Sequence, residues 1–231
     1  MVLALSPEEI AAVRTSLAVG ARAVAVALPL AVLTALALAR GRFPGRSVLN
    51  AAAHAPLVLP PVVVGYLLLL AFGVHGPIGS VLERLFGVRL VFTSAGASLA
   101  SGVMAFPLMV RAIGLSLEAV DPKLEEAARS LGAGALDRFL SITLPLSLPG
   151  VLAAAIVGFA ACLGEFGAVI TFAANVPGQT QTLPLAIYTA LQSPGGDAAA
   201  TRLASLSFAI AVAALIASEA LARANRRWLG R

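Results

Sequence analysis

The chain has 231 residues, of which 59% are hydrophobic and 12% charged, and its mean hydropathy is +0.95. A soluble domain of this length cannot hide so much apolar surface, so the composition indicates a membrane protein. The net charge of +5 is spread thinly over short loops, which argues against the clustered basic face typical of nucleic-acid-binding proteins.

The first long apolar segment, residues 16–39, follows an N-terminus that lacks the basic region and cleavage site of a signal peptide. About 20 residues suffice to cross a bilayer, so this segment is predicted to be the first transmembrane helix. Arg22 within it either reaches the outer interface or faces protein. Residues 3–15 form an interfacial helix or, with part of the first span, make a sixth crossing.

A second span is predicted at residues 51–72, directly after the arginine-rich loop RGRFPGRS. Pro56, Pro60 and Pro61 prevent an uninterrupted hydrogen-bond ladder. Carbonyl groups freed in hydrocarbon need partners in protein or in a polar cavity. We therefore expect this helix to be broken and to face the interior.

The third span, residues 95–117, follows a charged segment at 73–92. That segment is predicted to be an outer loop with a short interfacial helix, or to re-enter the membrane. Pro107 is expected to kink the third span. Arg111, near the inner end of the span, is either an anion contact or an interfacial anchor.

A polar island at about residues 118–146 separates the third span from the fourth. Asp121 followed by proline is typical of a helix N-terminus. Gly132 stands where a left-handed residue would end that helix, and a second short helix is predicted over 135–143, ended by Pro145. The pattern predicts a helix–Gly–helix hairpin beside the membrane.

The fourth span is predicted at residues 148–173 and contains the sequence GEFGA. Glu165 within it is either a structural carboxylate, bonded to a neighbouring helix or an arginine, or lies near a translocation path or subunit contact. The flanking Gly164 and Gly167 permit close helix approach. An outer loop at 174–200 and a fifth span at 203–221 complete the pattern.

Basic residues mark the cytoplasmic side of a membrane protein. The arginine loop after the first span, the polar island and the C-terminal arginines agree on one orientation, with the N-terminus outside and the C-terminus in the cytoplasm. The fold class is therefore all-α, a single polytopic domain over residues 1–231 with about five transmembrane helices, or six if the N-terminal segment also crosses.

The chain carries no catalytic or nucleotide-binding motif. It lacks GxxxxGK[ST], the spacing of metal ligands and a nucleophile elbow, so we expect neither an enzyme nor a bound cofactor or metal. Any energy that the protein uses must then come from a partner or from an ion gradient.

The polar island resembles the EAA signature of permease subunits in ATP-binding-cassette importers, with the family's intervals intact. In that family the signature forms a cytoplasmic coupling helix that docks on a separate ATPase subunit. The resemblance implies that Glu126 makes polar contacts to the ATPase, that small residues allow close approach and that a glycine permits the bend. The implied coupling residues are Glu126, Ala127, Ala128, Gly132, Leu144 and Pro145.

A closer resemblance runs through PLVLPPVVVGYLLL, FPLMVRA, EEAARSLGA, ITLPLSLPG and LGEFGAVITF. Together they are similar to molybdate permeases, with sulfate and thiosulfate permeases as cousins; tungstate stays open as a substrate. This family implies a type I importer fold in the inner membrane. We assign the following residues to the translocation path or to helix packing: Pro60, Pro61, Gly65, Pro107, Gly164, Glu165 and Gly167.

The family also implies the assembly. Two permease copies form the pore, two ATPase subunits carry ATP-Mg, and an external binding protein contacts residues 180–194 and the loop near His75. Two other classes remain open from the residues alone. A secondary transporter would couple to an ion gradient through Glu165 and the proline breaks, and a membrane scaffold would need neither pore nor ATPase.

Overall fold

The computed structural model describes residues 5–228, with side chains through residue 220 except at 218, and that range contains helices and no β-strand. In chain order the helices are α1 (Pro7–Arg40), α2 (Arg46–Val58), α3 (Pro61–Phe72), α4 (Pro77–Phe86), α5 (Ser94–Glu118), α6 (Pro122–Ser130), α7 (Ala135–Arg138), α8 (Leu144–Gly164), α9 (Gly167–Ala173), α10 (Leu183–Leu191) and α11 (Asp197–Trp228). The all-helical class expected from composition is confirmed.

The helix α1 is a single rod of 34 residues, about 51 Å long at about 1.5 Å per residue. A capping box starts it: the Ser6 hydroxyl accepts from Glu9 N, and Ser6 N donates to the Glu9 carboxylate. Residues 7–15 thus continue the first span, so the expected sixth crossing is wrong within the described residues. Residues 3 and 4 lie outside the described range.

The core is a three-helix packing of α1, α5 and α8. The face of α1 turned to this core carries an alanine at every fourth position: Ala23, Ala27, Ala31 and Ala35. Small side chains let the helix backbones approach closely and compensate for the weak hydrophobic driving force within a membrane. Between α5 and α8 the helices pack closely at Gly150, where a β-carbon would collide with the Ser116 side chain.

The predicted second span is broken, as expected. The helices α2 and α3 are bent by 120° at the break, which falls at Leu59 and Pro60, whereas Pro56 lies inside α2. One face of α3 packs into the core through Val64 and Leu68, so this half of the pair faces the interior as expected. The helix α2 buries only Ala53, and its Val58 is 85% exposed. Among the residues that the structure describes, four helices are long and apolar enough to cross a membrane, and the bent pair makes five if it counts as one span.

Two expectations about the fourth span are wrong. Pro145 does not end a short helix: a π-helical turn at Phe139–Thr143 joins α7 to α8, giving one helix from Ala135 to Gly164. Proline in the first turn of α8 removes only one hydrogen bond, and the π-helical turn accommodates it. The fourth span also does not run on to residue 173, since α8 ends at Gly164 and α9 begins at Gly167.

The remaining spans agree with the predicted pattern. The third span is α5, which runs unbroken through the buried Pro107, and the fifth span lies within α11. The segment 73–92 contains the short helix α4, as predicted. The segment 174–200, predicted as a loop, contains α10.

The first three turns of α1 are packed by α10 and α11. Leu183 N donates to the Ser16 hydroxyl at 2.6 Å, joining α10 to α1. Arg202 of α11 forms a bidentate contact with Glu9, with its Nη2 2.7 Å from the carboxylate Oε1. Only 6% of the Glu9 side chain is exposed, so this pair fixes α11 against the start of α1.

The contact between Glu9 and Arg202 predicts that substitutions of the adjacent residues Glu8 and Glu9 differ in their effect on stability. Glu9→Gln leaves the Arg202 guanidinium without its charged partner, so we expect a loss of about 1–3 kcal/mol of stability. The readout is thermal denaturation of the detergent-solubilised protein followed by its helical signal. The control is Glu8→Gln, an exposed neighbour on the same turn, which should melt like the parent protein. Equal melting of both variants would contradict the structural role of the pair.

Candidate functional site

The polar island folds as predicted into a helix that begins at Pro122 and ends at a left-handed glycine. The Asp121 side chain accepts from Lys123 N at 2.9 Å, which caps α6. Gly132 has φ +88°, and Ala133 N donates to Ala128 O at 3.0 Å. These are the features of a Schellman motif, in which only glycine avoids a steric penalty. Local capping interactions thus form the start of α6 and the turn between α6 and α7.

No residue of α6 is buried, and yet the surface of the hairpin is unusually apolar. Four leucines are exposed, Leu131 by 89% and Leu136 by 71%, with Leu124 and Leu140 at 44% and 51%. Glu126 and Ala127 are exposed beside them, and the Glu126 carboxylate has no partner within the described residues. Exposed contiguous apolar surface marks an interaction site, so this hairpin is the candidate docking surface.

Sequence reasoning missed the residue that ties the hairpin to the membrane helices. Glu125, not Glu126, accepts from Arg40 Nη1 at 2.9 Å and from the Thr143 hydroxyl at 2.5 Å. Arg40 Nη2 also donates to Leu117 O at 3.3 Å. One arginine at the end of α1 therefore joins the end of α5 to the first turns of α6. No local pattern signals this contact, because its partners lie 85 positions apart.

The other end of the signature is embedded in a continuous helix. Leu144 and Pro145 form the first turn of α8, and Leu144 N donates to Phe139 O across the π-helical turn. Ser147, one turn further on, is buried and accepts through its carbonyl from the Ser116 hydroxyl at 3.2 Å. The signature thus spans the hairpin and the start of a span, and α7 and α8 form one continuous helix across this junction.

The residues assigned to a translocation path fall into two groups. The structure brings Pro61, Gly65 and Gly167 together where α3 crosses α9. A β-carbon on Gly167 would lie 2.8 Å from Pro61 Cβ, and one on Gly65 would lie 2.8 Å from Ala168 O. The two broken spans therefore touch at their breaks, with Pro60 at the break itself. Pro107 is buried on α5, and a β-carbon on Gly164 would meet no atom of another element within 4 Å, so neither belongs to this contact.

Glu165 stands between two helices rather than deep in one. It is half-buried, its backbone ends α8, and its carboxylate Oε1 accepts from Ala168 N at 2.8 Å. The side chain thus caps the first turn of α9, where backbone N–H groups lack intrahelical partners. The carboxylate is thus hydrogen-bonded to the helix that follows it, as expected for a structural role, and pairs with no arginine within the described residues.

Arg22 and Arg111 also have defined surroundings. Arg22 contacts the Ser94 hydroxyl at the start of α5, and its Nε donates to Ala18 O at 3.1 Å. Arg22 therefore lies at the level where α5 begins, near one membrane interface. Arg111 is exposed and makes no hydrogen bond or ion pair within the described part of the chain.

Comparison with known proteins identifies relatives over almost the whole chain. A family model described as binding-protein-dependent transport system inner membrane component matches residues 27–228. The molybdenum transport system permease protein ModB of Escherichia coli (strain K12) is 52% identical over 227 residues, which cover 98% of this chain and 99% of that protein. The sulfate transport system permease protein CysT of Salmonella typhimurium is 36% identical over 199 residues, covering 86% and 71%.

A solved structure shares the fold. One chain of a bacterial alginate ABC transporter, in complex with an alginate pentasaccharide-bound periplasmic protein, superposes with a TM-score of 0.74. The match covers 94% of this chain and 79% of that one at 18% sequence identity. At this identity the likeness shows the fold alone.

Glu125 and Glu126 form a natural test pair. Glu125→Gln removes the tie to Arg40, a partly exposed ion pair of about 1 kcal/mol, so hydrogen exchange in residues 122–143 should quicken by about fivefold. Hydrogen–deuterium exchange with mass spectrometry on the solubilised protein measures this. Glu126→Gln, which breaks no side-chain hydrogen bond or ion pair within the described residues, should exchange like the parent. If both variants loosened the hairpin alike, Arg40 would not be its anchor.

The contact between α3 and α9 predicts that a methyl group is tolerated at Gly164 but not at Gly167. Gly167→Ala places a methyl group against the rigid ring of Pro61, and overpacking of this kind costs about 1–3 kcal/mol. Gly164→Ala enters open space and should be tolerated. Proteolysis of the solubilised protein near α3 compares the two: Gly167→Ala should be cut faster. Equal rates would mean that α3 and α9 have room to separate.

Proposed function

The chain belongs to the family of inner-membrane components of binding-protein-dependent transport systems, and on that premise we propose that it is the permease subunit of an ATP-driven importer of molybdate. The observation that carries the proposal is the identity of about half the residues, end to end, with a molybdenum transport permease. Similarity to a sulfate permease is lower and covers less of both chains, so molybdate is the preferred oxyanion.

The proposed subunit is one of two copies that enclose the pore. Its N-terminus lies outside and its C-terminus in the cytoplasm, with the arginine loop between α1 and α2 and the hairpin on the cytoplasmic side. Two ATPase subunits bind ATP-Mg and dock on the hairpins. This chain binds no cofactor and catalyses no reaction, since energy enters through its partners.

The docking surface proposed for the ATPase combines the apolar hairpin with the free carboxylate of Glu126. Leu131, at 89% exposure, is the side chain best placed to enter a cleft on the partner. Ala127 and Ala128 have short side chains, so the ATPase can approach the backbone of α6 closely. An apolar anchor beside a polar contact is the usual composition of an interface hot spot.

In the proposed mechanism, movement of the hairpin is transmitted to the membrane helices through defined contacts. The hairpin continues without a break into α8 and is tied by Glu125 and Arg40 to the ends of α1 and α5. The far end of α8 carries Glu165 and the crossing of α9 with α3. Because the ATPase contacts differ between ATP-bound and nucleotide-free states, they bias the chain between inward-open and outward-open forms.

The outer face proposed for the binding protein is a preformed surface. The segment 180–194 contains α10, which is held to α1 through Ser16 and packs with α11 around Ala12, Leu183, Ala186 and Leu203. The loop near His75 joins α3 to α4. A rigid outer surface suits recognition of a loaded binding protein, since little conformational entropy is lost on docking.

The test is uptake into vesicles that contain this chain, its ATPase and its binding protein. Molybdate uptake should require ATP, persist when ion gradients are collapsed, and resist an excess of sulfate. Leu131→Asp puts a charge into the apolar docking surface and should lower uptake by about tenfold or more, while Leu131→Met should keep it. Glu126→Arg should also lower it while the subunits remain assembled.

Three outcomes would contradict the proposal in different ways. Equal competition by sulfate would remove molybdate as the preferred substrate. Uptake that follows an ion gradient without ATP would indicate a secondary transporter. Full uptake in both the Leu131→Asp and Glu126→Arg variants would show that energy does not enter through the hairpin.

A further inference from the structure

The helix α2 is the least packed of the long helices, with Ala53 as its only buried residue. It stands beside α1 and α5 but leaves a groove between itself and them. Two cavities occupy this groove, of about 380 Å³ and about 730 Å³. They adjoin, because Thr34 and Ala53 line the larger cavity and their neighbours Ala35 and His54 line the smaller one.

The smaller cavity, at the hairpin end of the groove, is polar and basic. Arg46, His54 and Arg111 line it, against the single carboxylate of Glu118. Arg46 uses its Nε to donate to Leu38 O at 2.9 Å, and Arg111 has no partner within the described residues. The His54 Nδ1 lies 2.9 Å from Asn50 O, which leaves the other ring nitrogen free. The cavity thus offers several unused donors and an excess of positive charge.

The larger cavity continues the groove along α1 as an apolar channel. Alanine, valine, leucine and phenylalanine side chains line most of it, among them Ala27, Leu30, Ala52 and Phe106. From Arg22 to Ala39 on α1 the two cavities extend over 17 residue steps, about 25 Å. Leu30 is 54% exposed, so the channel is open along its side.

We propose that this groove binds an anionic phospholipid, with its phosphate between Arg46 and Arg111 and its acyl chains along the apolar channel. Basic pockets between transmembrane helices on the cytoplasmic side bind lipid headgroups through this combination of charges. The bound lipid supplies the packing that α2 lacks within the chain. The proposal goes beyond transport, and only the choice of leaflet depends on the orientation proposed above.

Two other occupants match the groove less well. A free oxyanion satisfies the arginines but leaves the apolar channel unfilled. A helix from a second copy fills the channel but leaves the guanidinium groups without partners unless it brings its own carboxylate, and unpaired charges in a membrane are costly. A phospholipid with a negative headgroup matches both ends at once.

The test is a titration of the full chain in phosphatidylcholine nanodiscs with phosphatidylglycerol, with retained lipid counted by native mass spectrometry. Arg46→Gln and Arg111→Gln should each weaken retention by about fivefold, the effect of one arginine near a lipid headgroup. The matched control is Arg42→Gln, which removes the same charge from the same cytoplasmic end without lining the cavity. It should retain the lipid like the parent chain.

A second variant tests the apolar channel separately. Ala52 is exposed and lines the channel, so Ala52→Phe fills part of it and should weaken phosphatidylglycerol retention while all charges remain. Weaker phosphatidylglycerol retention in both the arginine variants and Ala52→Phe, with helical content unchanged, supports the proposal.

Four results would overturn it. An effect of Arg42→Gln equal to that of Arg111→Gln would mean diffuse attraction rather than a site. Displacement of the lipid by millimolar sodium molybdate, with no effect of Ala52→Phe, would identify a free oxyanion site. Efficient disulfide formation between two Ala52→Cys chains would place a second copy in the groove. Unchanged lipid retention in all variants would exclude the groove as the binding site of the phospholipid. None of these results bears on whether uptake requires ATP.

Discussion

Inside hydrocarbon every backbone N–H and C=O must find a partner within the protein, and this constraint decides where the helices of this permease can break. One break falls at Pro60 and Pro61, which have no N–H to satisfy. The other falls at Glu165, whose carboxylate takes up the first free N–H of α9. The breaks pack on each other through glycines at positions 65 and 167. The start of α9 is buried in this contact, whereas residues 57–63 around the other break are exposed within one chain.

Much of this architecture could be predicted from local sequence, because the signals are themselves local. Apolar runs of about 20 residues specify spans, and adjacent prolines specify a break. The helix α6 begins at Pro122 after its cap Asp121, and the chain turns at Gly132, as capping chemistry requires. The family relationship was also readable, since the signature intervals and the proline-rich second span are continuous stretches of sequence.

The remaining features depend on contacts between distant residues, which no local pattern reveals. Glu125 and Glu126 are identical side chains on adjacent positions, yet only the first meets Arg40, because the helical turn directs it toward the end of α1. Pro145 suggested a helix end, but a π-helical turn before it accommodated the ring. Glu165 lay inside an apolar run and suggested a buried charge, whereas the chain ends a helix there and uses the carboxylate as a cap.

The helix from Ala135 to Gly164 has 30 residues and is therefore about 45 Å long. Near the middle of that length, Gly150 packs against Ser116 of α5. A rod turned about a contact near its centre moves its two ends in opposite directions by similar distances. If the proposed ATPase turns this helix about that contact, an inward push on the hairpin swings the end at Glu165 outward, as on a seesaw.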